Sequence, residues 1–236
     1  MREKLYAIPV NDAFNKDCEC PLCFMRDTLE NDAINFTMGP SYMEDDVRGM
    51  TSQLGFCGRH IELMYKHQNR LGLALIIKSY MDKLINDIEK TSKTNNISSK
   101  TMFKKKGFEN KPKHIELINK LNESCYICSK IENTFDRYIA TVFHLYNTDI
   151  NFKENFTKIK GFCTKHYGLL YEFAPKYLKG GSIDQFLTEL NKLYLDNMKR
   201  VRDDLDWFID KFDYRFVNEP WKNSKDALPR SIIKSN

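Results

Sequence analysis

Six cysteines and two histidines of this 236-residue chain are spaced as metal ligands are spaced. They form two copies of one pattern, Cys-x-x-Cys followed by Gly-Phe-Cys-x-x-His: Cys20, Cys23, Cys57 and His60 in the first copy, and Cys125, Cys128, Cys163 and His166 in the second. The gap between the two halves of the pattern is 33 residues in the first copy and 34 in the second. Two equally spaced copies indicate repeated metal sites rather than unrelated buried thiols and imidazoles.

Three thiolates and one imidazole are the donor set of a tetrahedral zinc site. Ligands separated by two residues share one face of a helical turn, and the positive end of a helix favours a thiolate. We therefore predict two zinc ions per chain, one in each copy, each joining two helix starts. Sharing of ligands crosswise between the copies is the alternative. Because each quartet is complete and leaves no open position, the predicted role is structural.

Other uses of these cysteines have less support. An iron–sulfur cluster accepts cysteine and sometimes histidine, although the usual motifs are tighter and all-cysteine, and it stays an alternative to zinc. Thiol redox chemistry at a Cys-x-x-Cys pair would call for a βαβ context, which the sequence lacks. The seventh cysteine, Cys18, is interpreted as an inert neighbour of the site, with a swapped ligand or a reactive sensor as alternatives.

Apolar side chains around the motifs recur every three to four residues, which predicts helices. The predicted helices cover 24–37, a segment that opens at Cys57, 70–90, 112–122, a stripe from Cys128 to Tyr146, 152–159, and a long helix from Ser182 to about Phe212. Residues 41–56 are predicted to form a loop. No window alternates like a strand for long, so the predicted fold class is all-α.

The repeat predicts how the chain is divided. Two pseudo-repeated helical units, each stapled by a Cys3His site, are expected at 1–90 and 114–212. A basic exposed linker at 91–113 would join them, and residues 213–236 would form an irregular C-terminal strap with Trp221 and Leu228 buried.

Composition limits the classes of protein that fit. The chain is 42% apolar and 13% aromatic, enough for a sizeable core. The positive charge behind the net +5 is concentrated at 90–113, a segment that contains eight lysines and one glutamate. A solvated linker explains this better than phosphate contacts, so we expect no nucleic-acid partner. The longest apolar run, 71–77, is too short to cross a bilayer, and the first residues have no signal-peptide pattern. These features predict a cytoplasmic protein without a membrane partner.

No motif names a reaction, since His-Glu-x-x-His, Gly-x-Ser-x-Gly, Walker and dinucleotide patterns are all missing. The sequence therefore favours a non-enzyme: an intracellular interaction or regulatory module with a protein partner or small ligand. The alternative is an enzyme or ligand-binding protein with a pocket between the repeats, using polar groups such as Asp12, Arg70 and Arg230. A deep polar cavity would favour the alternative, and an exposed apolar patch the module.

Several segments resemble a family of uncharacterised bacterial proteins, a domain of unknown function. They are Tyr6-Ala-Ile-Pro-Val-Asn-Asp-Ala-Phe, Cys18-Glu-Cys-Pro-Leu-Cys23, Gly39-Pro-Ser-Tyr-Met43, Gly55-Phe-Cys, Asn69-Arg-Leu-Gly-Leu-Ala-Leu75 and Glu219-Pro-Trp with Lys225-Asp-Ala-Leu-Pro-Arg230. The resemblance covers essentially the whole chain and implies a single full-length unit. Some members are labelled as ABC-transporter substrate-binding proteins, a label that a start without a signal peptide or lipobox does not support. The resemblance implies no activity.

Overall fold

A computed structural model of the chain describes residues 3–94 and 113–236, and within these ranges it contains eleven α-helices and no strand. The predicted all-α fold is confirmed. The helices are α1 (Glu3–Asn15), α2 (Pro21–Met38), α3 (Asp45–Leu54), α4 (Gly58–Lys66), α5 (Arg70–Thr94), α6 (Lys113–Asn122), α7 (Tyr126–Thr148), α8 (Ile150–Phe156), α9 (Thr164–Tyr177), α10 (Gly181–Asp210) and α11 (Ala227–Ser235). Most of the predicted linker, residues 95–112, lies outside the described residues.

The segment 41–56, predicted to be a loop, is mostly helical. A 3-10 turn at Pro40–Met43 leads into α3. Asp45 and Asp46 lie in the first turn of α3, where the helix dipole favours negative charge. Gly55 ends the helix with φ of 60°, a conformation that glycine adopts without steric cost.

The tail is an irregular strap only in part. It contains a 3-10 turn at Tyr214–Phe216 and ends in α11. The prediction that Trp221 and Leu228 are buried was wrong, because they are 36% and 48% exposed. The buried residues of α11 are instead Ala227 and Lys234, which lie seven residues apart on one helix face.

The chain forms two compact units. Unit 1 comprises Met1–Thr28 and Thr134–Asn236, and unit 2 is the continuous segment Leu29–Asn133. This division differs from the predicted consecutive ranges 1–90 and 114–212. Unit 1 takes residues from both predicted repeats.

Unit 2 has a core of aliphatic and sulfur-containing side chains. Its most buried members are Met38, Met64, Ile76 and Ile127, each no more than 1% exposed. Each such side chain contributes roughly 1.5–3 kcal/mol to folding. Ile127 lies between the two cysteines of the second Cys-x-x-Cys pair, so the core holds that pair in place.

Unit 1 has an aromatic core. Ring centroids of Phe156 lie 5.6 Å from Phe162 and 5.4 Å from Phe186, and Phe14 contacts Phe152 at 4.8 Å. Phe162 is fully buried and directly precedes Cys163. The aromatic core therefore fixes the position of the second Gly-Phe-Cys-x-x-His motif.

Candidate metal centres

All four ligand pairs share one local structure, in which a cysteine directly precedes a helix. Cys20, Cys57, Cys125 and Cys163 stand immediately before α2, α4, α7 and α9. Their carbonyl oxygens accept the first bond of each helix, from the N–H groups of Phe24 (3.1 Å), Ile61 (3.0 Å), Ser129 (2.9 Å) and Tyr167 (2.8 Å). The second ligand of each pair lies in the first turn. Each pair is therefore held at the positive end of a helix, which stabilises thiolates.

The eight predicted ligands converge in two groups that could each hold a metal ion. The first group, called here the outer site, is Cys20, Cys23, Cys163 and His166; the second, the inner site, is Cys57, His60, Cys125 and Cys128. In each group the donor atoms lie within 4.8 Å of one another. The outer site belongs entirely to unit 1 and the inner site entirely to unit 2.

The predicted pairing within each copy was wrong. Cys57 and His60 meet the Cys125 pair rather than the Cys20 pair, so each Cys-x-x-Cys is completed by the Cys-x-x-His of the other copy. The crosswise alternative is the arrangement in the structure. Both Cys3His donor sets are preserved by the exchange.

The separations within the outer site match the edges of a small tetrahedron. His166 Nδ1 lies 3.4 Å from Cys20 Sγ, 3.3 Å from Cys23 Sγ and 3.2 Å from Cys163 Sγ. Cys23 Sγ and Cys163 Sγ are 3.6 Å apart. Zinc–sulfur bonds of about 2.3 Å and zinc–nitrogen bonds of about 2.0–2.1 Å would give tetrahedral edges of about 3.5–3.8 Å. The donor set therefore fits one tetrahedral ion.

The inner site has the same geometry. His60 Nδ1 lies 3.2 Å from the Sγ atoms of Cys57 and Cys125 and 3.4 Å from that of Cys128. Cys57 Sγ and Cys128 Sγ are 4.0 Å apart. In both sites the histidine offers Nδ1 to the sulfur atoms, which leaves Nε2 to contact the surrounding protein.

Burial and the neighbouring thiols shift the pKa values of four cysteines in the two donor groups. Burial, together with the neighbouring thiols, raises the pKa of Cys20 and of Cys128 to about 12. The pKa of Cys23 is also raised, chiefly by its contacts with Cys163 and Cys20. The pKa of Cys163 is lowered, since Cys20 and Cys23 donate hydrogen bonds to its sulfur. An entering cation must displace the protons of Cys20, Cys23 and Cys128.

The histidine of the inner site is oriented by a carboxylate that the sequence analysis missed. Glu30 Oε1 lies 3.1 Å from Nε2 of His60, and Glu30 Oε2 accepts a 2.8 Å bond from Arg59. The hydrogen bond from Arg59, with help from His60, holds the pKa of Glu30 below its usual value. A carboxylate in this position fixes the tautomer and orientation of a metal-bound imidazole.

The histidine of the outer site lacks such a partner. Nε2 of His166 is buried and has no hydrogen-bond acceptor in the described part of the chain. The imidazole instead packs against Phe135, with ring centroids 5.6 Å apart. The two sites therefore share a donor set and differ in what supports the imidazole.

The outer site is bordered by a buried ionic cluster. Glu19, which precedes Cys20, pairs with Arg200 at 2.6 Å and with Lys234 at 3.2 Å. Lys234 is 1% exposed and also donates a 2.7 Å bond to the Glu19 carbonyl. This lysine attaches α11 to the segment that carries the Cys20 pair.

The start of α9, which carries the other half of the outer site, is also bonded to the end of α11. The hydroxyl of Thr164 donates to the carbonyl of Lys234, and the N–H of Lys165 donates to the backbone oxygen of Asn236, both at 2.9 Å. Helix α11 therefore contacts both chain segments of the outer site.

The remaining candidate residues lie outside the two donor groups. Cys18 belongs to neither donor group and has a free thiol, whose pKa is raised by burial. Asp12 is exposed on α1, and Arg70 stacks on Tyr65 with its guanidinium 3.9 Å from the ring centroid. Arg230 lines a cavity of unit 1. Asp12 and Arg230 belong to unit 1 and Arg70 to unit 2, and the pocket between the repeats that the alternative function requires stays a prediction.

Among the helices that the structure describes, none has an apolar stretch long enough to cross a bilayer. The chain belongs to the family of unknown function DUF6062, which matches residues 1–236. No curated protein and no solved structure matches it.

Proposed function

We propose that this chain is a two-zinc helical protein whose ions have a structural role, and that it acts in the cytoplasm as an interaction or regulatory module. The observation that carries the proposal is the convergence of two complete Cys3His donor sets, with every ligand pair at a helix start. One ion per site would join two helix N-termini that are remote in sequence.

Zinc is favoured by the chemistry and spacing of the donors. Each group places four donors at separations suited to one ion, with 3.6 Å and 4.0 Å between cysteine sulfurs of facing pairs. In an iron–sulfur cluster different ligands bind different iron atoms, so the ligands of one cluster are spread further apart. A single tetrahedral ion with sulfur and nitrogen ligands is the usual form of structural zinc.

A structural role is favoured because the coordination is complete and five of the eight ligands are buried, while Cys23, Cys57 and Cys128 are partly exposed. Cys163, Cys20 and His166 of the outer site are 1–3% exposed, and His60 of the inner site is 3% exposed. A substrate would have to displace a protein ligand to reach either ion, whereas catalytic zinc keeps an open position. A reducing compartment is favoured because none of the seven cysteines forms a disulfide.

An interaction role is favoured by exposed apolar side chains at the end of α10, called here the α10-end patch. It consists of Ile209, Phe212, Tyr214 and Val217, which are 60–85% exposed. Single exposed apolar residues are ordinary, but four within nine positions are typical of a surface that a partner covers.

Elemental analysis of anaerobically purified protein tests the metal assignment. We expect two zinc ions per chain, no visible absorption, and a tetrahedral thiolate spectrum after replacement of zinc by cobalt. A brown protein containing iron and acid-labile sulfide would overturn the zinc assignment in favour of an iron–sulfur cluster.

The interaction role is tested by a double variant of the patch, Phe212→Ser with Tyr214→Ser. Partners that the parent captures should be lost by this variant and kept by Ile150→Ser, which replaces a 77% exposed apolar residue of the same unit. All three proteins should retain two zinc ions. Equal capture by the patch variant and the parent would exclude the patch as the binding surface.

A further inference from the structure

Unit 1 contains a cavity of about 510 Å³ whose walls are mostly basic, called here the basic cavity. It is lined by Lys160, Arg200, Asp204, Lys222, Asn223, Lys225, Asp226 and Arg230. None of these residues is a ligand of either metal site. We propose that the basic cavity binds a small anionic ligand that carries phosphate groups.

The carboxylates of the cavity do not neutralise its lysines. Asp204 and Asp226 both bond to one guanidinium, that of Arg230, at 2.8 Å and 2.9 Å. Lys225 forms no ion pair in the described residues, and Lys222 lies 3.7 Å above the ring of Trp207 rather than beside a carboxylate. Two lysine charges therefore remain without a compensating carboxylate.

Arg200 is held in place with donors to spare. Its Nη2 bonds to Glu19 at 2.6 Å and its Nε to Asn197 at 3.0 Å, while about a third of the side chain remains exposed. A guanidinium has five N–H donors, and these two contacts use two of them. Because the side chain is already fixed, an anion that binds it costs little additional conformational entropy.

Lys160 can also change partner at low cost. Its ion pair with Asp17 is short, 2.5 Å, but the Asp17 side chain is 79% exposed. Ion pairs of exposed groups contribute little to stability. A phosphate in the cavity can replace Asp17 as the partner of Lys160 without a large loss.

Lys222 has an unusual backbone conformation. Its φ of 51° makes it the one non-glycine residue with positive φ among those the structure describes. Such conformations are unfavourable for lysine and persist only where the surrounding contacts maintain them. Here the conformation accompanies the placement of the ammonium group over Trp207.

A second cavity of about 490 Å³ shares Lys160 and Arg200 with the first, and its lining adds Lys158 and Lys192 together with the carboxylates Glu189 and Asp196. Volumes of this size suit small molecules. Nucleic acid would instead require a long basic track along its backbone. The concave shape therefore favours a small phosphate-bearing ligand.

A purely structural role explains only some of the charged side chains that line the basic cavity. Arg230 joins α10 to α11 through Asp204 and Asp226, and Arg200 joins α10 to Glu19. Lys222 and Lys225 hold no pair of helices together. Lys222 also stacks on Trp207 of α10, so the charge of Lys225 and the unused donors of Arg200 are the part of the cavity that a ligand accounts for.

The test uses the full metal-loaded chain, with inorganic pyrophosphate as the probe. Binding of pyrophosphate is measured by calorimetry at constant ionic strength. The parent should bind pyrophosphate saturably. The double variant Lys222→Gln with Lys225→Gln should weaken binding by about tenfold or more, because two charge-assisted contacts are lost. The control is Lys176→Gln with Lys179→Gln, which removes the same charge at the same spacing from exposed lysines of unit 1 outside the cavity.

The control should bind pyrophosphate like the parent, and all proteins should keep the parent's metal content and helical circular dichroism. If the double variant misfolds, Lys225→Gln alone should still weaken binding, since Lys225 is exposed and lies between the 3-10 turn and α11. The proposal is overturned if the parent shows no saturable binding at millimolar pyrophosphate. Equal weakening in the control, or binding of heparin without binding of pyrophosphate, would also overturn it.

Discussion

Cys23 Sγ lies 3.6 Å from Cys163 Sγ, although 140 positions separate the two residues in the chain. The first and last ligand pairs meet at the outer site, and the two middle pairs meet at the inner site. The connections are therefore nested. Neither copy of the sequence repeat contains a complete site.

Double variants that each lack two of the ligands should show, by their zinc content, which ligand pairs share an ion. Cys20→Ser with Cys163→Ser removes two ligands of one site, so this protein should retain one zinc ion per chain. Cys20→Ser with Cys57→Ser damages both sites and should leave none. Elemental analysis of the two purified variants measures the difference. The opposite result, with one ion kept by the Cys20/Cys57 variant, would restore the pairing within each copy.

Glu30→Gln should weaken the inner site selectively. The variant removes the charge that faces Nε2 of His60, and loss of such a partner lowers metal affinity by about 10–100-fold. Competition with a chromogenic chelator should show one faster phase of zinc release and one unchanged phase. Glu62→Gln, on α4 with an exposed Lys66 partner, is the matched control and should release both ions like the parent. Two unchanged phases in Glu30→Gln would exclude a supporting role for this carboxylate.

Cys163→Ser should destabilise the protein strongly. Loss of the outer ion would release a long closed loop and leave buried thiols without a cation, at a cost of several kcal/mol. For a chain of this size about 1 kcal/mol corresponds to 2–4 °C, so we expect the melting temperature to fall by about 10 °C or more. Differential scanning calorimetry measures the shift. Cys18→Ser, outside both donor groups, should melt close to the parent. A Cys163→Ser protein with the parent's melting temperature and a lost activity would make the outer ion catalytic.

Zinc uptake by the outer site should release at least two protons. The pKa values of Cys20 and Cys23 are raised in the metal-free site, so both thiols are protonated near neutral pH and must ionise to bind the ion. Affinity should therefore fall as the pH falls. Calorimetry of zinc binding in buffers of different ionisation enthalpy counts the protons. A count of zero would mean that these thiols are already ionised without metal.

Lys234→Met should cost about 3 kcal/mol, since breaking a buried ion pair typically costs 3–5 kcal/mol and Glu19 keeps its contact with Arg200. Urea denaturation measures the change in the free energy of unfolding. Lys176→Met, at an exposed lysine near the end of α9, is the control and should change stability little. A Lys234→Met protein as stable as the parent would show that the buried ammonium adds nothing to the docking of α11.

The identity of the ligands could be predicted from the sequence, but their pairing could not. The two-residue gap between the ligands of a pair is a local property of the sequence, and it places both ligands on one helix turn. The pairing is decided by packing at long range, such as the burial of Ile127 in unit 2 and of Phe162 in unit 1. Loop closure does not enforce the nearer partner, because each doubling of loop length costs only about 0.6 kcal/mol.

Residues that act through burial rather than through a motif were also missed. From the sequence alone, Glu30 and Lys234 would be predicted to be ordinary surface charges on their helices, because no regular spacing relates them to the ligands. Helix α3 was missed because only Val47 and Thr51 of its ten residues are buried, too few to give a clear apolar period. Long helices such as α7 and α10 were predicted well because their apolar stripes extend over many turns.

The nested order of the ligands has a consequence for synthesis on the ribosome. At about 5–20 residues per second, the 68 positions from His60 to Cys128 take roughly 3–14 s to translate. During that time the nascent chain presents Cys20, Cys23, Cys57 and His60 together, before either native site can be completed. The non-native quartet is thus the first one able to capture an ion. An ion captured by that quartet would have to be exchanged, since in the folded chain the Cys57 pair faces the Cys125 pair and the Cys20 pair faces the last motif.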